Sequence, residues 1–118
     1  MSNPDFISIK SDEDWMAIKN EAKASNQSIF LAKLSPVCPI SHMAEREIRD
    51  WHAAKQAKDI IFVEVDVIRA RNLARGIAEE VSVQHQSPQV IFFNSDMVPQ
   101  WNDSHQAINS NLLDSKLL

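Results

Sequence analysis

Short apolar runs alternate with amphipathic segments along most of the chain, and this alternation limits the possible folds more than any other feature of the sequence. Four runs have the length of strands: 6–9, 28–34, 60–67 and 89–93. The second and the fourth are contiguous enough for burial on both faces of a sheet. The segments between the runs repeat their apolar residues at helical spacing. Because strands that alternate with helices form βαβ units, the sequence predicts an α/β domain.

Three helices are predicted between the strands, over residues 11–24, 39–58 and 69–80. Each carries an apolar stripe at the i, i+3/i+4 spacing of a helix that packs against a core. Ser11 is the predicted cap of the first helix, with Asp14 three residues later as its capping-box partner. The pattern therefore predicts helices on both faces of the sheet.

The C-terminal part of the sequence predicts a hairpin followed by a helix. A turn at 94–96 leads into a strand at 97–101, in which Pro99 indicates an edge of the sheet. Asp103 or Ser104 is the predicted cap of the last helix. The complete order is β-α-β-α-β-α-β-β-α, which predicts a mixed sheet of four to five strands flanked by helices.

Length and charge exclude several classes of function. The chain has 118 residues and a formal net charge of −4, which fits one domain over 1–118 with its own core. It has no basic run, so a nucleic-acid partner is disfavoured. No apolar run approaches the ~20 residues of a membrane span. The segment Met1–Asp5 is polar and does not have the pattern of a signal peptide, so we expect a cytoplasmic protein. Gly76 is the only glycine, which excludes glycine-rich phosphate loops.

Cys38, the only cysteine, follows a predicted buried strand and directly precedes a predicted helix. The free N–H groups and the positive dipole at a helix start stabilise a thiolate, which lowers the thiol pKa and makes the sulfur nucleophilic. Ser41 could donate a hydrogen bond to the sulfur, and His42 could add positive charge. A buried structural cysteine is the alternative, because free cysteine is often buried. Its position before Pro39 and Ser41 favours a reactive thiol.

Pro88 stands at the entry of a predicted central strand, where it cannot donate a hydrogen bond to the ladder. A cis Ser87–Pro88 bond would turn the chain sharply at this point. An ordinary trans proline in a loop is the alternative.

A metal site is not predicted. Cys38 and His42 share a helix face, but two ligands are too few for a tetrahedral site. His52, His85 and His105 show no ligand spacing, and we interpret them as solvated surface residues.

These features together are similar to the thioredoxin/glutaredoxin superfamily, and more closely to the YtxJ-type monothiol bacilliredoxins. That family carries a Thr-Cys-Pro-Ile-Ser motif and a Ser-Pro-Gln segment after Val-x-His. The corresponding residues here are 37–41 and 83–89, with a weaker similarity at 101–105. The resemblance covers essentially the whole chain. Val37 stands in place of the family's threonine, which removes a hydroxyl beside the cysteine.

The resemblance implies a thioredoxin-like fold and an enzyme that reduces mixed disulfides between proteins and a low-molecular-weight thiol, which is bacillithiol in bacilliredoxins. It implies Cys38 as the attacking thiol, with Pro39 and Ser41 as its catalytic motif partners. The substrate-binding positions that it implies are Val37, Ile40, Ser87 and Pro88. In the superfamily, the backbone of the residue before a cis-proline pairs with an extended substrate, so we expect Ser87–Pro88 to be cis. We expect no bound cofactor, a small thiol as co-substrate, and S-thiolated proteins as clients.

Ser41 stands where dithiol enzymes have a second cysteine, so no internal disulfide can form and an external thiol must release the adduct. Two other functions remain open. One is a glutaredoxin-like carrier of an iron–sulfur cluster, which the rigid loop at Pro39 disfavours. The other is a non-catalytic interaction domain with the same fold, which an unreactive Cys38 would indicate.

Overall fold

The computed structural model describes residues 6–55 and 57–117. The expectations about Met1–Asp5, and the part of the second predicted helix at Gln56, lie outside these residues. The elements follow the predicted order. The strands are β1 (Ile7–Ser8), β2 (Ser28–Leu34), β3 (Ile60–Asp66), β4 (Gln89–Phe93) and β5 (Pro99–Ser104). The helices are α1 (Asp12–Ser25), α2 (Pro39–Lys55), α3 (Arg71–Val81) and α4 (Ser110–Leu117), with a 3₁₀ turn at His105–Ala107 before α4.

The five strands form one mixed sheet in the order β1-β3-β2-β4-β5. The first three strands are parallel, whereas β4 is antiparallel to β2 and β5 is antiparallel to β4. The central strand β2 places Leu31 opposite Val63 on one side and Ile91 on the other. Because β2 and β4 run in opposite directions, the loop after β2 and the loop before β4 leave the sheet at the same edge.

The sheet separates two apolar cores, as expected for contiguous apolar strands covered on both faces. The side chains of β2 alternate between them, so that Ile29 and Leu31 face one core and Phe30 and Ala32 face the other. Helices α1 and α3 cover the first core, and α2 and α4 cover the second. None of the helices within 6–55 and 57–117 is long and apolar enough to cross a membrane.

The second helix is shorter than predicted. It ends at Lys55 in the described residues, and residues 57–59 form a coil and a turn rather than helix up to Lys58. The backbone N–H of Ser28 donates to the carbonyl oxygen of Asp59 (2.9 Å). This bond brings the start of β3 beside the start of β2, and the chain must leave the helix before Asp59 to make it.

The third helix begins two residues later than predicted, at Arg71 instead of residue 69. The reason is a side-chain turn after β3. The carboxylate of Asp66 accepts hydrogen bonds from the backbone N–H groups of Ile68 and Arg69, both at 2.9 Å. Aspartate favours such local bonds over a helix.

The hairpin strand lies later in the chain than predicted, and the predicted cap of α4 is wrong. Residues 97–98 belong to the turn, and β5 continues to Ser104, because Asp103 and Ser104 pair with β4. Helix α4 is capped instead by Asn109, whose Oδ1 accepts the N–H of Leu112 at 2.9 Å.

Candidate active site

Cys38 occupies the capping position of α2. Pro39 is the first helical residue, where its missing N–H leaves no bond unmade. The carbonyl oxygen of Cys38 accepts the N–H of His42 (3.1 Å), which is the first helical bond. The sulfur takes the place of a capping oxygen, because the backbone N–H groups of Ser41 and Ile40 are directed at it.

This environment holds the pKa of the Cys38 thiol below its ordinary value. The backbone N–H of Ser41 contributes most to the lowering; the N–H of Ile40 and the Ser41 hydroxyl add to it, and burial opposes it. Since Cys38 is only partly buried, its sulfur is accessible from solvent. A thiol that ionises readily and can be reached has the two properties of a reactive cysteine.

Ser41 connects the helix start with the end of β2. Its side chain is 1% exposed, and its Oγ accepts the backbone N–H of Ser35 at 3.0 Å. Because that bond occupies an oxygen lone pair, the hydroxyl proton remains free to be donated to the sulfur of Cys38, as the sequence suggested. The same hydroxyl therefore orients the loop and stabilises the thiolate.

His42 holds the loop rather than supplying the predicted charge beside the sulfur. Its Nε2 lies 2.9 Å from the carbonyl oxygen of Pro36, and because a carbonyl only accepts, the ring nitrogen is the donor. The groups that lower the pKa of Cys38 belong to Ile40 and Ser41.

A second loop reaches the same edge of the sheet just before β4. The Ser87–Pro88 peptide bond is cis, which confirms the expectation from the sequence. The carbonyl oxygen of Pro88 accepts the N–H of His105 at 2.9 Å, so the first residue of the 3₁₀ turn after β5 holds the end of the loop. The structure thus brings the two predicted groups of site residues, 37–41 and 87–88, to one edge of the sheet.

The surface around Cys38 is partly apolar. Val37 is 76% exposed and Met43 is 65% exposed, while Ile40 is half-buried between them in the sequence. Apolar side chains at this exposure suit contact with another molecule. Their roles stay predictions, because their placement does not by itself assign one.

A cavity of about 450 Å³ opens on the other side of the cysteine loop, between Ser35 and the carboxyl ends of β1 and β3. Glu64 lines it and accepts a hydrogen bond from Arg49 at 2.7 Å. Burial raises the pKa of Glu64, an effect that Arg49 opposes.

The interpretation of the histidines as solvated residues is wrong for His52 and His85. His52 is buried against the ring of Phe62, with ring centroids 3.7 Å apart, and burial lowers its pKa. His85 is half-buried, whereas His105 is exposed as predicted. Among the described residues, no group of three or more His, Cys, Asp or Glu side chains could hold a metal ion.

The residue that sequence reasoning missed is Lys33, which is completely buried near the end of β2. Its Nζ lies 3.3 Å from Nδ1 of His85. A single charged residue inside a run predicted to be buried on both faces was the signal that could have revealed it, because lysine is almost never fully buried without a partner.

Comparison with known proteins identifies the family and the fold of the chain. A model of the family described as monothiol bacilliredoxin BrxC matches residues 7–113. A solved protein with a thioredoxin fold is 28% identical, with a TM-score of 0.79 and coverage of 92% of this chain and 90% of the other. Thioredoxin from Nicotiana alata is 22% identical, with a TM-score of 0.75 and coverage of 99% and 94%. Thioredoxin from Fasciola hepatica is 18% identical, with a TM-score of 0.74 and coverage of 95% and 96%. The predicted thioredoxin-like fold is therefore confirmed.

Proposed function

The chain belongs to the monothiol bacilliredoxin family, and from this premise we propose that it reduces mixed disulfides between proteins and a low-molecular-weight thiol. The observation that carries the proposal is the sulfur of Cys38 in the capping position of α2, with a lowered pKa and no second cysteine in the chain. The family and the thioredoxin fold support thiol redox chemistry. The mixed-disulfide substrate, with bacillithiol as the small thiol, is the finer part of the proposal.

In the first step, the Cys38 thiolate attacks the small-thiol sulfur of the mixed disulfide. A new S–S bond forms between Cys38 and the small thiol, and the bond between the small thiol and the client breaks. The client cysteine leaves as a thiolate and takes a proton from water. The N–H groups of Ile40 and Ser41, which stabilise the anionic sulfur, set the fraction of Cys38 that is ready to attack.

In the second step, a further molecule of low-molecular-weight thiol attacks the adduct. Cys38 is released as its thiolate, and the two small thiols leave joined as a symmetrical disulfide, which balances the electrons. Ser41 cannot release the adduct from within, because its hydroxyl is not a redox group. The small thiol is accordingly a co-substrate.

Client proteins would dock at the loop that ends in Pro88. In this proposal, the backbone of Ser87 pairs with an extended client segment, as in the superfamily, and Val37 and Ile40 contact it beside the sulfur. Val37 supplies an apolar contact where relatives have a hydroxyl. We place the activity in the cytoplasm, where mixed disulfides with small thiols would have to be reversed.

The first experiment measures the alkylation rate of Cys38 against pH. We expect an inflection below the ~8.5 of an ordinary cysteine. An inflection at or above that value would remove the central observation and leave the interaction-domain function in its place.

The second experiment follows the adduct by intact mass spectrometry after treatment with an oxidised small thiol. The wild type should gain the mass of one small thiol, and Cys38→Ser should gain none. Ser41→Cys should mostly lose two hydrogens instead, because positions three apart at a helix start are close enough for an internal disulfide. If the folded wild type gains no adduct, the proposed reaction is refuted.

A further inference from the structure

Lys33 is a buried cation whose observed partner is not a carboxylate. It lies near the end of the central strand β2 on the same face as Ile29 and Leu31, and it is completely buried. Its ammonium donates to Nδ1 of His85 at 3.3 Å. Burial lowers the pKa of Lys33 to about 8. An interior ammonium lowers the stability of a fold. We therefore infer that a lysine at this position serves a purpose other than stability.

A second buried polar side chain lies directly opposite Lys33 in the sheet. Gln89 of β4 pairs with Lys33 in the antiparallel register and is 2% exposed. Its Nε2 donates to the carbonyl oxygen of Gln84 at 2.9 Å. Two neighbouring side chains of the central strands thus form hydrogen bonds with the same stretch of chain, Gln89 with Gln84 and Lys33 with His85.

The stretch that they hold has no regular structure, from Val83 to Pro88. Its two ends are fastened by backbone bonds, from the N–H of Val83 to the carbonyl of Ala78 (3.1 Å) and from the N–H of His105 to the carbonyl of Pro88 (2.9 Å). Between these ends, the side-chain bonds of Lys33 and Gln89 tie the loop to the sheet.

We propose that Lys33 and Gln89 are positioning residues, which hold the loop 84–87 so that the backbone of Ser87 is presented to an extended client segment beside Cys38. This inference rests on the proposed function, because it concerns the docking of the client in that reaction. Neither side chain touches the reacting sulfur atoms. They act through the shape of the loop.

The bond from Lys33 also makes the loop sensitive to pH. An ammonium only donates, so Nδ1 of His85 accepts and the ring proton lies on Nε2. The charged groups around His85 are Lys33 from β2 and Arg71 and Arg75 from α3, and Glu79 of α3 lines the surface pocket that His85 also lines. Burial chiefly, and the three cations in addition, lower the pKa of His85. The bond therefore holds at neutral pH and is lost as the pH falls through this lowered pKa, because a proton on Nδ1 would face the ammonium.

The substitution Lys33→Met distinguishes a role of Lys33 in client docking from a role in the stability of the fold. Methionine fills a similar volume without a charge, so the melting temperature should stay the same or rise. A purely structural lysine would instead give a lower melting temperature with unchanged docking. Lys55→Met is the matched control, because Lys55 is a partly exposed lysine of α2 whose amino group is 3.8 Å from Asp114.

The test compares two disulfides in single-turnover reactions with Cys38. One is a peptide whose only cysteine is linked to 2-mercaptoethanol, and the other is 2-hydroxyethyl disulfide, which has no peptide to dock. For Lys33→Met we expect the rate constant with the peptide to fall about tenfold, the equivalent of ~1.4 kcal/mol and close to the value of a hydrogen bond to a charged group. The rate constant with the small disulfide should not change.

His85→Leu should reproduce the loss, while His85→Asn should restore most of the rate, because the oxygen of asparagine accepts where Nδ1 does. In the wild type, the ratio of the two rate constants should fall at acid pH, and in His85→Asn it should be flat. A ratio that Lys33→Met leaves unchanged refutes the inference while the proposed function stands. A wild type that reacts with neither disulfide refutes the proposed function itself.

Discussion

Replacement of Ser41 by alanine tests the two hydrogen bonds that this hydroxyl makes at the start of α2, one with the N–H of Ser35 and one with the sulfur of Cys38. The change leaves the backbone N–H of Ser35 without the oxygen that accepts it at 3.0 Å. An unpaired amide costs about 1–3 kcal/mol when buried. Since Ser35 is only half-buried, we take a loss of about 1.5 kcal/mol. Alanine returns about 0.5 kcal/mol through its higher helix propensity, so the net loss in the free energy of unfolding is about 1 kcal/mol.

The loss can be measured as a shift in the melting temperature. Domains unfold with an entropy of about 2.1 cal/mol/K per residue. For a chain of 118 residues, 1 kcal/mol then corresponds to about 4 °C. The same substitution removes the hydroxyl that helps to lower the pKa of Cys38, so the alkylation inflection should move to higher pH. It should not reach the value of a free thiol, because the N–H of Ser41, the larger contribution, is retained.

The matched control is Ser25→Ala at the end of α1, where the hydroxyl of an exposed serine donates to the carbonyl oxygen of Glu21 (2.8 Å). It should change the melting temperature by less than about 2 °C, since surface substitutions stay within about 0.5 kcal/mol, and it should leave the alkylation profile as it is. If Ser41→Ala matched this control in both measurements, Ser41 would not join Ser35 to the sulfur, and the proposed stabilisation of the thiolate by its hydroxyl would be wrong.

Three further substitutions test other parts of the structure by urea denaturation. Arg49→Met should cost about 1 kcal/mol at pH 7, because the half-buried carboxylate of Glu64 loses the cation that offsets the burial of its charge. Burial raises the pKa of Glu64, so the loss should shrink as the pH falls and this carboxylate takes up a proton; an equal loss at pH 7 and in acid would contradict this. His52→Phe should reduce the fall in the free energy of unfolding between pH 7.5 and 5.5. A histidine with a lowered pKa stabilises the fold above its unfolded pKa of ~6.5 and loses that contribution as the pH falls. An unchanged dependence on pH would show that His52 does not contribute. Asn109→Ala should lower the free energy of unfolding by about 1 kcal/mol, because it removes the cap of α4. An equal loss in Asp103→Ala would contradict this assignment and favour the cap that the sequence predicted.

The order of strands and helices could be read from the sequence because it depends on local periodicity. The limits of β2 and β4 agree with the prediction to the residue, since each is a contiguous apolar run with a clear polar end. The placement of Cys38 was equally local. A strand, a loop and Pro39 in succession determine where the helix starts, and the N–H groups that stabilise the sulfur come from the first turn of that helix.

For β5 and α2, the sequence placed the limits wrongly because those limits depend on a distant partner. Strand β5 extends to Ser104 because its last residues pair with β4, and the polar residues there otherwise favour a turn or a cap. Helix α2 stops where Asp59 must meet Ser28, a contact between residues that lie far apart in the chain. Propensity is decided within a few residues, so it cannot report such contacts.

The two halves of the candidate site also differ in whether they depend on local or on distant contacts. The sequence by itself determined where Cys38 lies, because the helix whose first N–H groups lower the pKa of its thiol begins at the next residue. Only the tertiary structure decided that Lys33 donates to His85, 52 positions later in the chain. The register of β2 against β4 places Lys33 beside Gln89, beneath the loop that the pair holds. Periodicity shows which face of a strand is buried, but the group that a buried charge meets there depends on how distant segments pack together.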